Sequence, residues 1–255
     1  MWEEFDLEVE EGKLWLRAYL WPVKAPEQVA VIVHGIGEYA GRYDRVAGFL
    51  NQANIAVLSM DLRGHGKSPG KRGHGAPRNK VLSDVDCLIV EAEKRYRGVP
   101  IILYGHSMGA NMVLDYRVRG LLANRPVAYL VTAPWIILVK PIPPILKKLA
   151  GILSKIVPSA QFRSNIDASV LGNQKSVGEY TRDPLVHGFI SAETAHDGFS
   201  IADQLAKGTL TGPFLAKGKP LLILHGIQDR LCDVEGARAV ISHEEPISSR
   251  LEELP

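Results

Sequence analysis

Val99-Pro100-Ile101-Ile102-Leu103-Tyr104-Gly105-His106-Ser107-Met108-Gly109 is an apolar run that enters a Gly-x-Ser-x-Gly pentad, and Ala110 to Arg119 continues in a helix-like pattern. A strand that feeds such a pentad and a helix that leaves it make a sharp turn. That turn lifts the serine hydroxyl clear of a sheet and sets it beside helix N-terminal amides. The pentad alone is weak evidence, because glycine and serine are common in ordinary turns. Its flanks make it specific, and they predict Ser107 as a nucleophile on a strand-turn-helix elbow.

The surrounding chain has the periodicity that such an elbow requires. Val29 to Val33 is apolar at every position, as in a strand covered on both faces. Val46, Phe49, Leu50 and Ala53 keep helical spacing, and Ile55 to Met60 returns as a strand, so the unit is a parallel crossover. Val81, Val85, Leu88, Ala92 and Tyr96 predict a helix before the elbow strand. Val127 to Thr132 and Pro220 to His225 predict strands after it. Near the start, Phe5, Leu7 and Val9 alternate with acidic residues. Leu14, Leu16, Ala18 and Leu20 alternate again beyond Glu11-Gly12, an antiparallel hairpin at a sheet edge.

The long stretch between Thr132 and Pro220 breaks the alternation of strand and helix. An apolar run, Trp135 to Val139, meets three prolines at 141, 143 and 144. A helical stripe of Ile145, Leu149, Ile152, Leu153 and Ile156 then follows, opposite Lys147, Lys148 and Lys155. Such an insertion predicts a cap over the carboxyl ends of the sheet, where open α/β folds bind ligands. The expected division is a core of residues 1–133 and 201–255 with a cap of 134–200. Trp135, Ile136, Ile137, Leu138, Leu149 and Ile152 form either an apolar wall for an acyl chain or an ordinary buried helix face.

Composition narrows the function classes. With 46% hydrophobic and 23% charged residues the chain is neither disordered nor fibrous. A net charge of +2 gives no reason to expect nucleic acid. Cys87 and Cys232 read as isolated small residues, and the absence of Cys-x-x-Cys and His-x-x-x-His spacing implies no metal. The acidic start, Met1 to Asp6, has no basic segment leading into an apolar one, and no stretch approaches the ~20 apolar residues of a membrane span. The expected location is the cytoplasm.

A serine hydroxyl needs a base to take its proton and preplaced N–H donors to meet the oxyanion. One donor is expected at Met108, the residue after the nucleophile. The other is expected in His34-Gly35-Ile36-Gly37, at Ile36. The acid of the constellation should end a later strand, which selects Asp229 in Gly226-Ile227-Gln228-Asp229-Arg230, with Asp203 as the weaker rival. Asp233 suits a helix cap.

These segments resemble the monoacylglycerol lipase family of α/β-hydrolases. The resemblance covers about residues 10 to 240, a span taken from the motifs that follow. It rests on His34-Gly35-Ile36-Gly37-Glu38 with Gly41-Arg42-Tyr43, on Asp61 with Arg63-Gly64-His65-Gly66 and Ser68, and on Gly105 to Gly109. It rests also on Ile166 to Leu171, Asp183-Pro184-Leu185 and Asp229 to Asp233. The resemblance implies a mostly parallel central sheet with an inserted helical cap. It implies a cytosolic or membrane-peripheral serine hydrolase that cleaves monoacylglycerol to fatty acid and glycerol through an acyl-enzyme, with no cofactor. It also implies a glycerol site near Glu38, Arg42, His106 and Tyr180.

The base fits less well. The fold normally places a helix and a strand between acid and histidine, yet His243 follows Asp229 by only 14 positions with one helix, Asp233 to Ile241, between them. The final strand and helix therefore read as shortened, with Ile247 and Leu251 sharing one face of a short closing helix. Three readings stand: His243 is the base, His243 is a surface residue, or the base is absent. The alternatives for function are a general carboxylesterase for short acyl esters and a non-catalytic acyl-binding protein.

Overall fold

The computed structural model describes residues 2–75, 77–164, 166–170, 178 and 180–255. Met1 and Leu171, both quoted above, lie outside the described residues. An eight-stranded sheet has the order β1-β2-β4-β3-β5-β6-β9-β10, and only β2 runs against the others. The strands are β1 (Glu3–Val9), β2 (Leu14–Trp21), β3 (Gln28–Val33), β4 (Ile55–Met60), β5 (Ile101–His106), β6 (Ala128–Thr132), β9 (Leu221–Gly226) and β10 (Ser249–Leu254). The predicted edge hairpin is β1–β2, paired from Glu3↔Leu20 to Val9↔Leu14.

The unbroken apolar run of β3 has the meaning expected of it. Val29, Val31 and Val33 enter one core and Ala30 and Ile32 the other, so both faces of the strand are covered. Each fully buried aliphatic side chain of this kind contributes about 1.5–3 kcal/mol. Helix α1 (Asp44–Gln52) packs Val46, Ala47 and Leu50 on the smaller core. Phe49, expected on that stripe, is instead 63% exposed, because the buried stripe is the narrower one centred on Ala47. Helices α2 (Arg78–Arg95) and α3 (Met108–Arg119) cover the other face through Val85, Leu88, Val113 and Leu114.

Between β6 and β9 the chain forms α4 (Pro144–Ile156), an antiparallel pair β7 (Gln161–Arg163) and β8 (Phe189–Ser191), and α5 (Ala192–Ala206). Helix α5 is capped by Ser191, whose hydroxyl accepts from Thr194 N–H. It touches both α4 and α3, and the expected boundary at residue 200 falls inside it.

The C-terminal expectation needs correcting. Helix α6 (Val234–Ile241), capped by Asp233, leads past His243 into a strand rather than a closing helix. Six residues of β10 pair in parallel with β9, from Ser249↔Leu221 to Leu254↔Gly226. Ile247 is almost wholly exposed and Leu251 packs on the main core, so they share no face.

The elbow is held by backbone approaching backbone. A Cβ on Gly109 would stand 2.1 Å from Val33 O, and one on Gly105 would stand 2.4 Å from Gly109 O. Gly109→Ala is therefore expected to force β3 and α3 apart and lower stability by about 1–3 kcal/mol or more. A fall in the urea unfolding midpoint at unchanged slope measures this.

Candidate active site

Ser107 sits at φ 54, ψ −113, in the left-handed half of backbone space that a residue with a Cβ rarely adopts. Three backbone bonds hold it there. Its N–H donates to Thr132 O at 3.0 Å, and its carbonyl accepts from Asn111 N–H and Trp135 N–H, each at 3.1 Å. Strain of this sort costs about 1–3 kcal/mol and persists only where the surroundings fix it. Met108 opens α3, where a helix provides no internal acceptor for the amide.

The turn after β3 lies against the elbow. Gly35 faces the Ser107 Cβ and the His106 carbonyl, and Ile36 lines the same cavity as Ser107. Gly35 N–H donates to Glu38 Oε1 at 2.7 Å and Tyr43 Oη–H donates to the same oxygen at 2.8 Å, which fixes the turn's shape. His34 is wholly buried. Its Nε2 accepts from Leu62 N–H at 2.9 Å and its Nδ1–H donates to Gly35 O at 2.8 Å, so both ring nitrogens are used by the neutral form. Burial holds the His34 pKa down, and that of the neighbouring His65 well down.

Asp229 ends β9 as expected. Its Oδ1 accepts from Leu231 N–H and Cys232 N–H, and its Oδ2 lies 3.7 Å from His225 Nε2. The neighbour that sequence reasoning missed is Cys232. Its thiol and the Ser107 hydroxyl are hydrogen-bond partners, and burial pushes the thiol pKa up to about 12, so it is neutral. Asp229 and Ser107 are thus linked through one residue. The position of Cys232, three residues past the acid, was the only signal for it. Asp203 is 61% exposed on α5 and paired with Lys207, which removes it as a rival.

His243 is the main correction. It precedes β10, so it lies at the amino end of the parallel β9–β10 pair, whereas Ser107 follows the carboxyl end of β5. Its ring packs on Gly208, and its Nε2 bonds Ala206 O at 3.1 Å. Among the described residues no histidine is hydrogen-bonded to Ser107. His225 donates from Nε2 to Cys232 O at 2.9 Å.

Of the expected substrate-contacting residues, Trp135, Leu138 and Leu149 line a cavity of about 620 Å³ with Ser107 in its wall. Ile136, Ile137 and Ile152 do not. Ile136 packs on Gly236 of α6, Ile137 O accepts from Asp233 N–H, and Ile152 faces solvent. An apolar run marks burial but not which side is buried. Leu146 and Ala150 of α4, Phe162 of β7, and Ala195 and Phe199 of α5 take the vacant places. Glu38, Arg42 and Tyr180 come together, with Arg42 Nε 3.6 Å from Glu38 Oε2 and its guanidinium 4.9 Å from the Tyr180 ring centroid. His106 points elsewhere, its Nδ1 bonded to Thr132 Oγ1 at 2.8 Å.

A strained serine between a parallel sheet and a helix N-terminus, under an inserted helical layer, defines an α/β-hydrolase. The family described as serine aminopeptidase, S33, matches residues 24–253. The monoacylglycerol lipase of Mycolicibacterium smegmatis is 32% identical over 222 residues, 86% of this chain and 76% of that one. The monoglyceride lipase of Mus musculus is 32% identical over 231 residues, 89% and 73% of the two chains. The crystal structure of Paleococcus ferrophilus monoacylglycerol lipase superimposes with a TM-score of 0.82 at 29% identity, covering 94% of this chain and 88% of that one. The chain belongs to the monoacylglycerol lipase family of α/β-hydrolases and is a carboxylic ester hydrolase of the lipase and esterase kind.

Two outcomes follow from this geometry. His243→Ala should leave the rate of fluorophosphonate labelling unchanged, and a loss comparable to that of Ser107→Ala would return His243 to the site. The second outcome concerns pH. His34 and His65 are neutral when folded and regain ordinary pKa values when unfolded, so the unfolded chain binds more protons as pH falls below about 6.5. Together they should remove up to about 2.7 kcal/mol of stability per pH unit between pH 6 and 5, the limiting slope for two protons. Thermal unfolding of the parent and His65→Gln at pH 7, 6 and 5 checks this, and the variant should show the shallower decline.

Proposed function

We propose that the protein hydrolyses single-chain acyl esters, monoacylglycerols foremost, through an acyl-enzyme on Ser107. The observation that carries the reading is the apolar cavity with Ser107 in its wall, lined by Trp135, Leu138, Leu146, Leu149, Phe162 and Phe199. Ser107 Oγ attacks the ester carbonyl, and the developing oxyanion is met by the Ile36 and Met108 amides, a contribution of about 3–4 kcal/mol per donor. Asp229 orients the base that takes the serine proton and passes it to departing glycerol. Water then cleaves the acyl-enzyme by the same route in reverse.

The place of that base is defined by its neighbours. It must reach Ser107 Oγ and Asp229 together, and the carboxyl end of β10 lies beside the acid's loop, with Leu254 O accepting from Ile227 N–H. His243 stays outside this proposal.

The layer over the site is proposed as a cap of residues 134–191, with α5 assigned to the core that it abuts. Its outer face carries Ile145, Ile152 and Ile156 exposed beside Lys147, Lys148 and Lys155, which suits contact with a lipid surface. No helix among the described residues is long and apolar enough to cross a membrane. The proposed location is cytoplasmic and membrane-peripheral.

A series of 1-acylglycerols and nitrophenyl esters from two to sixteen carbons, on the order of the reach of a cavity of this size, tests the reading. Catalytic efficiency should climb with chain length, by about tenfold or more for every two or three methylenes buried. It should vanish in Ser107→Ala. A maximum at two to four carbons in both series would assign the protein as a short-chain carboxylesterase instead.

A further inference from the structure

The lining of the cavity is apolar except at one side. Its polar residues are Ser107, Ser164, Lys140, Arg163, Arg230 and Asp167, and the last four are exposed at the open end. Two of the cations are set against each other by the backbone. Leu138 bridges antiparallel to Cys232 and Val139 N–H donates to Leu231 O, and this register continued by one residue brings Lys140 opposite Arg230. Arg163, on β7, lines the same cavity, with its guanidinium 5.7 Å from the Phe189 ring centroid. Among the described residues none of the three lies within 4.0 Å of a carboxylate. Asp167 is the single acid on the lining. Its carboxyl is held below the usual range by its hydrogen bonds from Ser169, and by the nearby charges of Lys140 and Arg230.

We infer that Lys140, Arg163 and Arg230 form a carboxylate site at the mouth of the cavity, which holds a free fatty acid head outward with its hydrocarbon chain in the apolar interior. This rests on the reading of the cavity as an acyl site. A neutral acylglycerol gains nothing from the three cations, whereas the fatty acid released from it is ionised at neutral pH and is attracted to them. Bound this way, the acid keeps its carboxyl group away from Ser107 and fills the space that the next substrate needs. The product is then a competitive inhibitor, and its grip weakens as salt screens the exposed charges.

Calorimetric titration with laurate and with dodecan-1-ol, below their aggregation limits, tests the site on the full chain. Lys140→Gln/Arg163→Gln/Arg230→Gln should weaken laurate by about tenfold, the scale of three exposed charge contacts, and leave dodecanol within about twofold. Asp167→Asn, which removes the one repulsive group, should tighten laurate by about twofold on the same scale. Equal effects on acid and alcohol, or none on either, would overturn the carboxylate site while leaving the acyl cavity standing. If neither ligand binds the parent protein, the acyl cavity itself is wrong and the site with it. Circular dichroism on each variant separates a lost contact from a lost fold.

Discussion

The contact on which this molecule turns is between two backbones. Gly109 lies so close to the Val33 carbonyl that no side chain fits between them, and this brings the start of α3 against the end of β3. Every later feature of the site inherits that closeness. Ser107, before the start of α3, and Ile36, in the turn after β3, line one cavity because the helix and the strand beside them almost touch. The left-handed backbone of Ser107 is the local cost. It is sustained by bonds from Asn111 and Trp135 to one carbonyl and by a bond to Thr132, each from a different part of the chain. The nucleophile is therefore a property of the assembled sheet rather than of the pentad.

Behind the elbow, buried polar groups connect the layers. Arg78 donates to Asn111, and Asn111 donates to the carbonyls of Trp135 and Gly198, which joins α2, α3, the start of the inserted segment and α5. Asp61 does the same on the other side, accepting from Ala40 N–H, Lys67 N–H and the Tyr19 hydroxyl. Burial pushes its pKa upward while these donors oppose the shift. Removing one partner from such a network leaves a buried group unsatisfied, which costs more than the bond itself contributes.

Much of this was legible in the sequence. The apolar run of β3, the crossover to β4 and the strand before Gly105 carry strong period and composition signals because both of their faces are buried. Asp229 stood out because it follows the carboxyl end of a late strand, and it does lie in the loop after β9. The last strand was missed for a physical reason. Ser249-Arg250-Leu251-Glu252-Glu253-Leu254 is an edge strand with one partner, largely polar, and only Leu251 reaches the main core. With that strand unseen, His243 looked near enough to serve as a base, although it lies at the opposite end of the strands from Ser107. The cavity wall was half legible. A stripe of isoleucines announces an apolar face, but whether Ile152 looks inward or Leu146 does depends on how α4 rotates against α5, which is a matter of tertiary packing.

The return of the inserted segment to the core has one more consequence. His187 N–H donates to Gly37 O, its carbonyl lies where a Cβ on Gly37 would stand, and Asp183 accepts from the Tyr39 hydroxyl. The ring of His187 packs at a tilt against His65, which packs at a tilt against His34. This flank of the covering layer is pinned to the turn that follows β3. Helix α4 has only one buried residue, Ala150, and among the described residues no backbone bond ties it to that turn. The layer is thus anchored to the core along its returning strand and held more lightly along α4.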